Sequence, residues 1–199
     1  MHWLSPDVAA LGTTGAYAVV PALILVESGV PLGFLLPGDT VLFGAGLLAG
    51  DGTSGVRVEV VVALVTAAAV LGEAVGYVTG ARLGRAWLEG RVASGRIPAR
   101  HVRRAEAFFR RWGWWAVVAA RWVPWARTFV PLLAGSSGMP VTRFASANVV
   151  GALAWAAGLV LVGYAAASDP RIRIGAGAIA GCAVAGSLVG ALLLHRKRR

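Results

Sequence analysis

The sequence predicts an all-α integral membrane protein built as an inverted repeat. Each unit is a re-entrant helical hairpin followed by a transmembrane helix, and an extra C-terminal transmembrane helix completes the chain. Three observations lead there. Hydrophobic residues make up 57% of the 199 residues and charged residues 14%, with a mean hydropathy of +0.71; a soluble domain carries about 25% charged residues. Several apolar stretches approach or exceed the ~20 residues that a helix needs to cross ~30 Å of hydrocarbon. Two of them are cut near the middle by proline beside charged side chains.

The start, MHWLSPDVAALG, holds no Lys or Arg. A secretory signal peptide uses a positive region there, so none is expected. The first interrupted stretch is 15–50. Its centre, ESGVPLGFLLPGDTVLFGAGLLAG from Glu27, contains Pro31, Pro37, several glycines and two acids, Glu27 and Asp39. Proline removes a helical hydrogen bond and clashes with the preceding turn. The halves on either side are roughly 10–14 residues, too short to cross alone. They read as a hairpin that enters the bilayer and returns, non-helical over 31–38.

Residues 58–81, VEVVVALVTAAAVLGEAVGYVTGA, read as a full span. A basic amphipathic segment follows at 82–111 and suits the inner membrane face. Stretch 113–138, GWWAVVAARWVPWARTFVPLLAGSSG, is interrupted around Pro124 and reads as a second hairpin, non-helical over 123–127. Residues 142–165 form the next span, with Trp155 and small residues suited to helix packing. The final helix is expected at 172–195. The whole is a single membrane domain, 1–199, with repeat 1 at 15–81 and repeat 2 at 113–165. Unpaired backbone cannot face lipid, so the two breaks should cover each other. Hairpin–span used twice is the pattern of transporters with inverted repeats.

Segment 82–111 carries nine arginines against Glu89 and Glu106, and the chain ends HRKRR, whereas residues 1–56 contain no Lys or Arg. The positive-inside rule places the basic segment and the C-terminus in the cytoplasm. The protein is therefore expected in the plasma membrane, multi-pass. The net charge of +10 sits beside membrane segments, where it sets topology and attracts anionic membrane lipids; nucleic acid is not expected as a partner. A homo-oligomer is compatible with this composition. One cysteine, Cys182, excludes an internal disulfide.

The charges at the breaks need partners. A carboxylate inside a membrane is expensive and usually functional, which singles out Glu27. Asp39 follows Pro37–Gly38 and could equally cap the returning helix. Arg121 and Arg127 flank the second break and cannot shed their charge. Either the acids of the facing hairpin or an anionic substrate could neutralise them. The returning helices should start near Thr40 and Thr128, aiming free N–H groups and partial positive charge at the midplane. Arginine adds the planar fork that suits phosphate. Glu73 and Asn148, within the two spans, could line the same cavity or make interhelical hydrogen bonds. Arg57 and Arg143 sit at span ends as interface residues.

Several of these motifs together resemble the DedA family of membrane proteins. They are E-S-G-x-P followed by G-F-x-L-P-G-D-T, R-x-x-P-x-x-R-T, A-G-S-S-G-M-x-x-x-x-F, G-E-x-x-G-Y-x-x-G at 72–80 and F-x-x-x-N-x-x-G-A-x-x-W at 144–155. The resemblance spans about residues 15–165. It implies two facing re-entrant hairpins and, from members assigned to it, translocation of undecaprenyl phosphate; others are tied to proton-motive-force homeostasis. It also implies that Glu27, Asp39, Arg121 and Arg127 are essential. One departure is Ala81, where the family has a basic residue after the glycine; here Arg82 follows.

A proton-coupled flippase for the polyprenyl phosphate lipid fits these features best. Arg121, Arg127, Thr40 and Thr128 would bind the phosphate, and Glu27 and Asp39 would exchange protons. The alternative is a proton-coupled carrier of a small ion or drug, which would use the same charges. An enzyme is not expected. His2, His101 and His195 all lie near predicted interfaces, and neither a metal cluster nor a cofactor motif is evident.

Overall fold

The computed structural model describes residues 12–29, 38–84, 86, 90, 92–95 and 99–168. Of the first break expected at 31–38, residues 31–37 lie outside the described residues and Gly38 is already helical; the final helix expected at 172–195 also lies outside them. Helices alone make up the regular structure of the described residues. In chain order they are α1 (Val20–Gly29, entered through a π turn at Gly15–Val19), α2 (Gly38–Gly50), α3 (Val58–Thr79, prolonged by a π turn at Gly80–Gly84), α4 (Ala99–Ala120), α5 (Pro124–Ser136), α6 (Val141–Ala152) and α7 (Gly158–Ser168). A π turn at Leu153–Ala157 joins α6 to α7 without a break.

Two helices are long and apolar enough to span a membrane. They are Val58–Gly84 and Val141–Ala167, 27 residues each, close to the expected 58–81 and 142–165. The second arms of the two hairpins, α2 and α5, have 13 residues each. At 1.5 Å per residue they reach about 20 Å, short of ~30 Å of hydrocarbon.

The sequence explains the second break locally. Val123 precedes Pro124 and is held extended, with φ −119° and ψ 112°, as expected before proline. Pro124 then opens α5, where a missing N–H costs nothing. The break therefore falls at 121–123, earlier than the expected 123–127, and Arg127 and Thr128 are already helical. A further difference lies at 112–113. The sequence divides a surface segment from a hairpin there, but α4 runs through both. Gly113 is a packing residue within it: a Cβ there would lie 3.3 Å from both Met139 Sδ and Phe109 Cδ1. At its far end α5 stops at a turn in which Met139 N–H reaches the Ala134 carbonyl and Gly138 N–H the Gly135 carbonyl. Gly138 has φ +71°, a conformation that glycine adopts without penalty.

Packing follows a crossed pattern. Each first arm lies on the span that follows it, α1 on α3 and α4 on α6. Each second arm lies on the span of the other unit, α2 on α7 and α5 on α3. Glycine makes both crossed contacts close. A Cβ on Gly46 would overlap the Val160 carbonyl, and one on Gly163 the Phe43 carbonyl. At the other contact, Gly135 meets the Tyr77 carbonyl and Gly80 the Leu132 carbonyl in the same way. Small residues that let backbones approach are the usual device of helix packing in lipid. Two apolar cores result. Ile24, Leu42, Val61, Val65 and Val160 centre one, and Tyr77, Phe109, Val117 and Phe144 the other.

Candidate functional site

Two buried charge clusters lie among these helices. In the first, Arg127 in the opening turn of α5 pairs with Glu27 of α1 and reaches Asp39 of α2, Nη1 to Oδ1 at 3.2 Å. Glu27 and Arg127 are buried, whereas the Asp39 side chain is 53% exposed. Trp155, in the π turn between α6 and α7, completes the group. Its indole N–H donates to Asp39 Oδ1 at 2.9 Å. Its ring lies 4.8 Å from the Arg127 guanidinium carbon, within range for a cation–π contact. Gly38 makes room for the Glu27 carboxylate, since a Cβ there would collide with it. Two carboxylates face one guanidinium, so with both acids ionised the cluster carries one net negative charge. Glu27 Oε2, Arg127 Nε and Thr128 Oγ1 are buried without a hydrogen-bond partner.

The second cluster surrounds Arg121, at the break. Its guanidinium donates to Asn148 Oδ1 of α6 and, at 3.4 Å, to the Ala69 carbonyl of α3. Glu73 of α3 lies 3.2 Å away, Oε2 to Nη2. Asn148 donates in turn to the Val70 carbonyl at 3.0 Å. All three side chains are buried. One guanidinium faces one carboxylate, so the cluster is neutral. Gly151 accommodates the arginine: a Cβ there would come within 2.9 Å of Arg121 Cδ.

The expected site residues therefore divide. Glu27, Asp39 and Arg127 come together, and Thr128, the next residue of α5, is buried. Arg121 faces Glu73 and Asn148 and not the acids of the first hairpin, so Glu73 and Asn148 make interhelical contacts. Thr40 is exposed, in the first turn of α2. Asp39 also lies in that turn, and its carboxylate serves Arg127 and Trp155. Arg143 does more than mark an interface: it donates to the carbonyls of Arg110 and Arg111, tying α6 to α4. Sequence reasoning gave Trp155 a packing role alone and missed its contacts with the charges. The available signal was chemical: an indole N–H in the middle of an apolar span must find an acceptor.

Comparisons with known proteins bear on this arrangement. Residues 36–165 match the VTT domain. The chain is 36% identical over 206 residues to the uncharacterized membrane protein Rv0364 of Mycobacterium tuberculosis, covering all of this chain and 88% of that one. It is 33% identical over 158 residues to protein DedA of Escherichia coli, covering 79% and 71% of the two chains. Inner membrane protein YghB of Escherichia coli is 33% identical over 162 residues, covering 79% and 70%. No solved structure gives a significant match.

Proposed function

The chain belongs to the DedA family of membrane proteins, and from that premise we propose that it is a proton-coupled flippase for undecaprenyl phosphate. The Arg127 cluster carries this reading. A negative cluster repels an anion until it takes up a proton, and a guanidinium released from its acids is a strong phosphate ligand. Binding of a phosphate headgroup and proton uptake are then one linked event. In this scheme Arg127 takes the headgroup, with Thr128 and Thr40 as further donors. Glu27 and Asp39 are the proton carriers, and the polyprenyl tail stays in lipid. Arg121, neutralised by Glu73, holds the break in place while Arg127 changes partners.

The scheme places the protein in the plasma membrane as a multi-pass chain, with hairpins entering from opposite sides and the C-terminus in the cytoplasm. The basic face of α4 would rest on anionic headgroups. Arg100, Arg103, Arg110 and Arg111 lie exposed on it, with Phe108, Trp112 and Trp115 as apolar anchors, the composition of an interfacial helix. A second reading draws on the same negative charge, which also suits a small cation exchanged for protons.

Leaflet-specific detection of undecaprenyl phosphate separates the two. Cells lacking this protein should accumulate the lipid in the outer leaflet. The chain should relieve this accumulation, and its Arg127→Ala variant should not. An unchanged leaflet distribution in cells lacking the protein and its relatives would favour the cation carrier.

A further inference from the structure

We propose that Trp155 is a donor of the anion site: its indole N–H, which serves Asp39 in this structure, passes to a phosphate oxygen when the anion displaces that carboxylate. The inference rests on the reading of the Arg127 cluster as an anion site. Asp39 Oδ1 accepts from both Trp155 Nε1, at 2.9 Å, and Arg127 Nη1, at 3.2 Å. One carboxylate oxygen thus joins the two donors. Trp155 is 2% exposed, so its N–H has no solvent to turn to. An anion that displaces this oxygen from both donors must also take the indole N–H, or leave a buried donor unpaired. Carboxylate and phosphate oxygens are equivalent acceptors for it.

The rest of the geometry agrees. The Arg127 guanidinium carbon lies over the indole ring, 4.8 Å from its centroid, and acceptors reach a guanidinium in the plane of its N–H fork. Arg127 Nε is buried with unused hydrogen-bonding capacity, and so is Thr128 Oγ1 on the next residue of α5. Asp39 is the half-exposed member of the group and marks the side from which an anion arrives. Trp155 also sits within a π turn, a feature found frequently at functional sites. The ligand class is a phosphate monoester whose apolar tail remains outside the cluster.

The test uses the purified full chain in detergent, with a short-chain polyprenyl monophosphate as probe and the corresponding neutral polyprenol as control. Trp155→Phe keeps an aromatic face over Arg127 but removes the donor. Its affinity for the phosphate should fall about tenfold, the order of one hydrogen bond to a charged group, with binding of the polyprenol unchanged. A tryptophan that only packs would lower thermal stability without this selectivity. In protein labelled with ¹⁵N-tryptophan, one indole N–H resonance should move on adding the phosphate and stay in place with the polyprenol. That resonance is assigned by its loss in Trp155→Phe, or by its shift in Asp39→Asn if Trp155→Phe does not fold. Equal phosphate affinity in Trp155→Phe, or an indole resonance that does not respond, overturns the proposal. A wild-type protein that binds no phosphate overturns the anion-site reading itself, a distinguishable result.

Discussion

Arg121 and Arg127 flank one break in the chain, and their surroundings differ. Arg121 is enclosed by one acid, one amide and one backbone carbonyl, drawn from α3 and α6. Its charge is balanced and its partners sit on long helices. Arg127 is held by two acids from the arms of the other hairpin and faced by an indole. Its charge is over-balanced, and one of its partners is half exposed. A balanced buried pair has no reason to exchange partners, whereas an over-balanced one changes state with the arrival of a proton or an anion. On the proposed function, this difference makes one arginine a clamp and the other a switch.

The largest expected effect tests that division. Arg121→Met leaves Glu73 buried and unpaired, and should lower stability by about 3–5 kcal/mol in detergent unfolding. Adding Glu73→Leu should recover most of the loss, because apolar residues often replace a buried ion pair without penalty. Transport should recover with it. The matching double change, Arg127→Met with Glu27→Leu, should also recover stability but leave transport abolished. Equal transport by the two double variants would erase the distinction.

Lysine substitutions sharpen it. Arg127→Lys keeps the charge and loses the planar fork. Losing one charge-assisted hydrogen bond should slow transport by roughly 10–100-fold, read in reconstituted vesicles. Arg121→Lys should change the rate little once its stability loss is allowed for. Full activity in Arg127→Lys would mean that charge alone serves there.

Two glycines probe the same contrast from the packing side. Gly151→Ala crowds the Arg121 stem and should cost about 1–3 kcal/mol in stability, with transport kept in the folded fraction. Gly38→Ala pushes on the Glu27 carboxylate and should reduce transport in protein that is still folded. The reverse pattern would reassign the clamp and the switch.

The smallest effect lies away from both clusters. Asp51 caps the loop before α3, accepting from Thr53 N–H at 2.8 Å and Ser54 N–H at 3.1 Å. These backbone donors hold its carboxyl below its ordinary value. Its contribution to stability is therefore full above the unfolded carboxylate pKa of about 3.9 and is lost as pH falls through the lower folded value. Asp51→Asn should be slightly less stable than the parent at neutral pH, and the gap should close in acid. Transport should not change.

Much of this was legible in the sequence. Hydropathy located both spans, and Pro124 located the second break to within a few positions. Glu27 and Arg127 stood out because a charge in an apolar run needs a partner, and each proved to be the other's. The pairing of Arg121 was not legible. Composition identifies unpaired charges but not which helix faces them. Glu73 and Asn148 become its partners only through the packing of α5 on α3 and of α4 on α6. Trp155 was obscured for the opposite reason, because an aromatic residue in a span usually signals packing. The run of α4 across 112–113 was not legible because basic residues give way to apolar ones there, and a change of composition need not end a helix.

The central claim, that the Arg127 cluster takes up a proton with its anion, is tested most directly in vesicles. Liposomes holding the purified chain and a fluorescent short-chain polyprenyl phosphate would be given a pH step across the bilayer, and the label in each leaflet followed. Coupling predicts net movement of the lipid away from the acidic side, in excess of that in protein-free vesicles, and loss of this excess in Glu27→Gln. Rapid movement that only equalises the leaflets, the same with and without the pH step and the same in Glu27→Gln, would contradict it.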